Sequence, residues 1–174
     1  MELDITRGIQ AKGMEMPFDL TDAWEEDRWN GDPVVYARPV RFSGTYTITG
    51  DTVLVQGTAQ ADLDIPCARC LEPARVTVKA QVDEAYVRER EEKEKDPWSD
   101  ENTYTGHIIH LDDQVRTAIL QEVPTRVLCK PDCLGLCPQC GTNLNQRMCS
   151  CQKDLNRKSP FSAFANLLNE DEEV

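Results

Sequence analysis

Val40-Arg41-Phe42-Ser43-Gly44-Thr45-Tyr46-Thr47-Ile48-Thr49, followed by Gly50-Asp51 and then Thr52-Val53-Leu54-Val55, is the stretch that decides the fold class. Val40, Phe42, Gly44, Tyr46 and Ile48 share one parity with mostly polar side chains between them, the period of a strand that buries one face. Gly50-Asp51 supplies a turn and Val53 and Val55 resume the alternation, so the stretch predicts a β-hairpin. Outward from it, the second arm runs through Thr58 to Ile65 into Pro66-Cys67-Ala68-Arg69-Cys70, and Val76, Val78, Ala80 and Val82 alternate beyond. The first cysteine pair therefore falls at a bend between two strands.

On the N-terminal side, the first 33 residues read as a short strand, a turn near Lys12-Gly13, a second strand around Met14 to Leu20, and a polar stretch from Thr21 to Pro33. On the other side, Arg88 to Asp96 carries four basic and five acidic side chains and no apolar one. Such a run reads as part of a solvated loop at about 88–106. Asp112-Asp113 precedes Val115, Ala118, Ile119 and Glu122, a helical spacing with acidic residues at the positive end of the helix dipole. Pro124 ends that helix. Ser159-Pro160 opens a closing helix whose Phe161, Phe164, Leu167 and Leu168 form one stripe, read as core-facing. The expected fold is α+β: an antiparallel β-sheet with few helices in residues 1–128, and a Cys-rich zinc-binding segment with the closing helix in residues 129–174.

The chain has 174 residues, 31 acidic and 19 basic side chains, and a formal net charge of −12. That charge opposes wrapping duplex nucleic acid or lying on anionic lipid, both of which need Lys and Arg at phosphates. No window approaches the roughly 18 apolar residues of a membrane span, and Met1 to Arg7 lacks the pattern of a secretory signal. The chain is expected in the cytoplasm, where eight cysteines stay free or bind metal instead of pairing as disulfides.

The cysteines fall into four close pairs: Cys67 with Cys70, Cys129 with Cys133, Cys137 with Cys140, and Cys149 with Cys151. Structural zinc takes four ligands, and two thiolates spaced by two to four residues can reach one ion from a tight turn. Cys137-Pro138-Gln139-Cys140-Gly141 is the strongest local signal, because Gly permits positive φ and the turn's N–H groups can hold thiolate sulfur. Cys149-Ser150-Cys151 is tighter than usual. The favoured grouping is Cys137, Cys140, Cys149 and Cys151 around one ion, and Cys67, Cys70, Cys129 and Cys133 around another, with one or two zinc ions in all. The segment from 129 to 151 has too few aliphatic side chains to fold without such a staple. S₄ sites do not separate zinc from iron by ligand type, so a mononuclear iron electron-transfer protein is an alternative. A thiol-redox switch or chaperone using the Cys pairs is another.

Catalytic constellations are absent: there is no G-x-S-x-G elbow, no phosphate-cradling Gly run and no H-E-x-x-H. No enzyme and no small-molecule substrate are expected. His107 and His110 read as surface residues. Arg69, Arg75, Arg126, Lys130 and Arg147 lie near the cysteines in sequence and form a candidate contact set for RNA or another partner. Full metallation would add eight thiolate charges against four from two zinc ions and leave the chain more acidic still, which favours a basic protein partner.

The string Cys133-Leu134-Gly135-Leu136-Cys137-Pro138-Gln139-Cys140-Gly141-Thr142-Asn143-Leu144-Asn145, followed by Cys149 and Cys151, resembles the bacterial DUF177, or YceD-type, family of large ribosomal RNA subunit accumulation proteins. Ile65-Pro66-Cys67-Ala68-Arg69-Cys70-Leu71 after a hairpin strand and Glu122-Val123-Pro124 after a helix carry the same resemblance, over about residues 40–168. Ser159-Pro160-Phe161 departs from the Asp-Pro-Arg start common in that family's closing helix. The resemblance implies a role in 23S ribosomal RNA accumulation and large-subunit biogenesis, with large-subunit ribosomal RNA or a basic ribosomal protein as partner.

Overall fold

A computed structural model describes residues 1–89 and 101–151. Most of the charged run after Arg88 and the whole closing helix expected at 159–168 lie outside the described residues. The chain divides into two units: Met1–Ile65 with Ala74–Val127, and Pro66–Pro73 with Leu128–Val174.

The first unit is built on the expected hairpin. Strand β5 (Val40–Thr49) pairs antiparallel with β6 (Thr52–Pro66), with Thr49 opposite Thr52 across the Gly50-Asp51 turn. The even residues of β5 and the odd residues of β6 point into the core, and Val40, Phe42, Tyr46, Ile48, Val53, Val55, Leu63 and Ile65 are all buried. Gly44 and Gly57 stand opposite each other in this ladder. A Cβ on Gly44 would lie 2.0 Å from the Gln56 carbonyl oxygen, and one on Gly57 would meet the Phe42 ring at 2.8 Å. The two glycines let the strands coil closely and leave room for Phe42.

Strand β2 (Glu15–Asp22) pairs with the outer edge of β5. Beyond β6 come β4 (Asp32–Tyr36) and β3 (Glu26–Trp29), and β7 (Pro73–Arg88) also pairs with β6. A short strand β8 (Asn102–Tyr104) adds to β7 in parallel, the exception in an otherwise antiparallel sheet. Outside this sheet, β1 (Glu2–Asp4) pairs with β9 (Ile108–His110). Helix α2 (Asp112–Gln121) buries Val115 and Ile119 and carries Asp112 and Asp113 in its first turn. No helix among the described residues is long and apolar enough to cross a membrane.

Three local elements are not expected from the sequence. Within the polar stretch Thr21 to Pro33, β3 and the start of β4 form a hairpin through Asn30-Gly31, whose φ values of 52° and 92° mark a two-residue turn of the primed type. Residues 6–10 form a short helix, α1 (Thr6–Gln10), and Gly8 lets it approach the Tyr46 ring, where a Cβ would come within 2.5 Å. The loop at 88–106 contains β8, which pairs with the end of β7, buries Tyr104 and ties Asn102 to Glu84 at 2.9 Å.

One polar network fixes the β3–β4 hairpin. The Tyr36 hydroxyl donates to Asp27 at 3.4 Å, Arg116 of α2 donates to the same Asp27 oxygen at 2.9 Å, and the Arg116 guanidinium lies 4.9 Å from the Trp24 ring centroid. Burial, with the Asp27 charge adding to it, pushes the Tyr36 phenol up to about 12. The folded state thus favours the neutral phenol. Its contribution is complete below the unfolded value near 10 and is lost as pH rises from about 10 to about 12, by roughly 2 kcal/mol. Tyr36→Phe is expected to make stability fall less steeply across that interval in urea titrations. Part of the fall persists, because burial raises the Tyr86 phenol as well.

Candidate metal centres

Each cysteine group is assembled from a tight knuckle and a second thiol pair. Between β6 and β7 the chain turns through Cys67-Ala68-Arg69-Cys70-Leu71-Glu72: the Leu71 N–H donates to the Cys67 carbonyl at 2.9 Å, and the Cys67 N–H to the Glu72 carbonyl at 2.9 Å. Cys137-Pro138-Gln139-Cys140-Gly141-Thr142 repeats the pattern, with Gly141 N–H to the Cys137 carbonyl at 2.9 Å and Cys137 N–H to the Thr142 carbonyl at 2.8 Å. The residue after the second cysteine is left-handed in both, φ 63° at Leu71 and 70° at Gly141. The two knuckles are one motif written twice, and only the second uses the residue that this backbone favours.

The sulfurs of Cys67, Cys70, Cys129 and Cys133 lie within 4.8 Å of one another, as do those of Cys137, Cys140, Cys149 and Cys151. Four sulfurs at about 2.3 Å from a tetrahedral ion would be about 3.8 Å apart. Cys67 to Cys133 measures 3.8 Å and Cys70 to Cys129 measures 3.5 Å. No disulfide links the thiols. The donor set and the spacing fit a soft or borderline cation, and each group could hold a metal ion.

The first group is braced by its surroundings. Cys67, Cys70 and Cys133 are buried and Cys129 is exposed. The Arg69 N–H points at Cys67 Sγ at 3.5 Å, Asn145 Nδ2 donates to Cys133 Sγ at 3.3 Å, and the Arg69 guanidinium donates to the Cys133 carbonyl at 2.6 Å. Asn145 also accepts the Leu134 N–H at 2.9 Å. Gly135, at φ 77°, passes against the Arg69 backbone, where a Cβ would sit 3.0 Å from the carbonyl oxygen. In the second group Cys137 is buried, Cys140 exposed, and Cys149 and Cys151 half-buried. Cys140 Sγ lies 3.2 Å from the Thr142 hydroxyl.

Four crowded thiols cannot all ionise without a cation, and the proton affinities divide accordingly. Burial opposes ionisation at Cys67, yet the N–H groups of Cys129, Arg69 and Cys70 hold its thiol down at about 6. Cys133 is also lowered, against burial, by Asn145 and the Gly135 N–H. Cys129 is pushed up to about 12, first by its contact with Cys70 and then by burial. In the second group the Thr142 hydroxyl and N–H hold Cys140 at about 6, while Cys140 drives Cys151 up to about 12. A bound cation would remove the repulsion that keeps protons on the raised thiols.

The candidate contact residues are placed less coherently. Arg75 is forked on Asp64 at 2.9 and 2.7 Å, and Arg69 is turned onto the cysteine loop. Arg126, Lys130 and Arg147 are exposed. His107 and His110 are exposed as well, and His110 lies 3.7 Å from Glu2. The role of Asn145 escaped sequence reasoning, although an Asn within a cysteine loop is a ready N–H donor to sulfur.

The family model described as "Large ribosomal RNA subunit accumulation protein YceD" matches residues 55–168, a range that contains all eight cysteines. An uncharacterized protein of Mycobacterium tuberculosis is 37% identical over 93 residues, covering 53% of this chain and 45% of that protein. An uncharacterized protein of Mycobacterium leprae is 27% identical over 120 residues, covering 64% and 52%. A chloroplastic protein of Arabidopsis thaliana, named as a YCED homolog and large ribosomal RNA subunit accumulation protein, is 28% identical over 72 residues, covering 40% and 22%. The chain spans about half the length, or less, of these relatives. No solved structure matches it significantly.

Proposed function

The chain belongs to the YceD family, and from that premise we propose that it supports 23S ribosomal RNA accumulation and large-subunit biogenesis as a zinc-stapled cytoplasmic binding protein without catalytic turnover. The single observation that carries this reading is that the family match spans both four-cysteine groups. Residues 129–174, with the knuckle at Cys67 and Cys70, are the zinc-bearing part. The two sets of four sulfurs are its ligands, and zinc, when bound, supplies a fixed dication that holds the loops together without redox chemistry.

The partner we favour is a basic ribosomal protein in preference to bare RNA. The net charge of −12 supports it, as does a groove of the first unit lined, among the described residues, by Asp83, Glu84 and Asp113 with Asn102 and Gln114 and by no Lys or Arg. Two of the five candidate RNA contacts, Arg69 and Arg75, are already engaged within the chain. The test is metal analysis followed by salt titration of binding to purified large-subunit ribosomal proteins and to 23S RNA. Two zinc ions per chain and salt-sensitive capture of basic proteins are expected. Binding to RNA alone would overturn the partner, and a coloured iron protein would overturn the metal.

A further inference from the structure

The two cysteine groups share a knuckle and differ in nearly everything around it. In the first, three of four sulfurs belong to buried residues: Cys67 is 0% exposed, Cys133 1% and Cys70 4%. Its ligands come from chain segments about sixty residues apart, Cys70 and Cys129 being separated by 59 positions. Asn145 and the Arg69 N–H stand against its sulfurs, and the Arg69 guanidinium locks the Cys133 carbonyl. In the second, all four ligands come from residues 137–151, Cys140 is exposed, and Cys149 and Cys151 are half-buried. Cys149 and Cys151 are next-but-one neighbours, so one local unwinding removes both from an ion at once.

Metal leaves such a site when a competing ligand reaches the ion as protein sulfurs let go one by one. Access and the freedom of the first sulfur to swing away set the rate, and hydrogen bonds to sulfur oppose both. The second group has sulfur contacts of its own, Cys140 lying 3.2 Å from the Thr142 hydroxyl, but its sulfurs are more accessible and its ligands all sit on one short segment, so on access and on freedom to swing away it is the weaker holder. Resting on the metal reading given above, we propose that the two centres have different tasks: Cys67, Cys70, Cys129 and Cys133 hold a permanent structural ion, while Cys137, Cys140, Cys149 and Cys151 hold an exchangeable one that passes to soluble thiol or chelator. The transfer moves a divalent ion from four thiolates to the competitor, the released thiolates take protons from water, and no electron changes hands.

The test uses the full chain, zinc-loaded, mixed with excess colorimetric chelator. Two release phases of one ion each are expected, separated by about tenfold or more in rate. Cys149→Ser should remove the fast phase and leave the slow one. Asn145→Ala, which takes the N–H from Cys133 sulfur, should speed the slow phase without altering the fast one. Release of both ions in a single phase, or loss of the slow phase in Cys149→Ser, would overturn the ranking while leaving the metal reading intact. A chain that retains no metal from purification and binds none on titration would overturn the metal reading itself, and the ranking with it.

Discussion

Cys133→Ser is expected to unfold the first cysteine centre while the β-sheet survives. Every apolar residue that is buried in Pro66–Pro73 or in the described part of 128–151 is a cysteine: Cys67, Cys70, Cys133 and Cys137. Leu71 and Leu134 are exposed, and Leu128, Leu136 and Leu144 are half-buried. Among the described residues of this unit there is no aliphatic core to offset the cost of ordering the loops without metal, roughly 1–2 kcal/mol per residue for the backbone. Structural zinc supplies an apparent ~10–16 kcal/mol in small domains. Removing one buried sulfur, which also takes the Asn145 amide nitrogen's contact with Cys133 and leaves it only Asn143, should cost most of that at the first centre. Native mass spectrometry should show one ion fewer, and hydrogen exchange should show loss of protection at 66–73 and 128–136 with β5 and β6 still protected. Full protection with the ion gone would refute the staple.

Gly44→Val is the second large effect, and it strikes the other unit. A Cβ there would fall 2.0 Å from the Gln56 carbonyl oxygen and 2.5 Å from the Gly57 Cα. Both obstacles are backbone, so no rotamer change clears them and the β5–β6 ladder must part or shift register. A one-residue slip would turn Phe42, Tyr46 and Ile48 outward. A loss of at least about 3 kcal/mol is expected, a large share of the roughly 5–15 kcal/mol available to a domain. Thr45→Val, one residue on and on the other face, should stay within about 0.5 kcal/mol. Urea midpoints of the two variants decide the matter, and equal midpoints would mean that this close approach is not what Gly44 provides.

The central hairpin was legible because β5 alternates cleanly and Gly50-Asp51 punctuates it. The cysteine sets were legible because four thiol pairs at short spacing match the ligand spacing of tetrahedral metal sites. What hid was structure whose signal is local and brief. The exposed face of the β3–β4 hairpin mixes Glu26 and Arg28 with Pro33 and Val35, so its alternation is faint, although Asn30-Gly31 between Trp29 and Asp32 announces the turn. Helix α1 spans five residues, too short to show a period. Strand β8 spans three residues, Asn102–Tyr104, too few for the buried Tyr104 to show an alternation. The similarity of the two knuckles was obscured by Leu71, which stands where its counterpart has Gly141 at nearly the same φ.

The separation of the first centre's ligands sets a timetable during synthesis. Cys70 leaves the ribosome 59 residues ahead of Cys129. At about 5–20 residues per second it therefore waits roughly 3–12 s for a partner. Through that interval the first knuckle is a pair of naked thiols on a growing chain, and only a reducing environment preserves it. Cys133 then completes the first set before Cys137 emerges, so on the proposed ranking the ion first enclosed would be the one held more firmly, and a later ion would close a site whose four ligands arrive almost together.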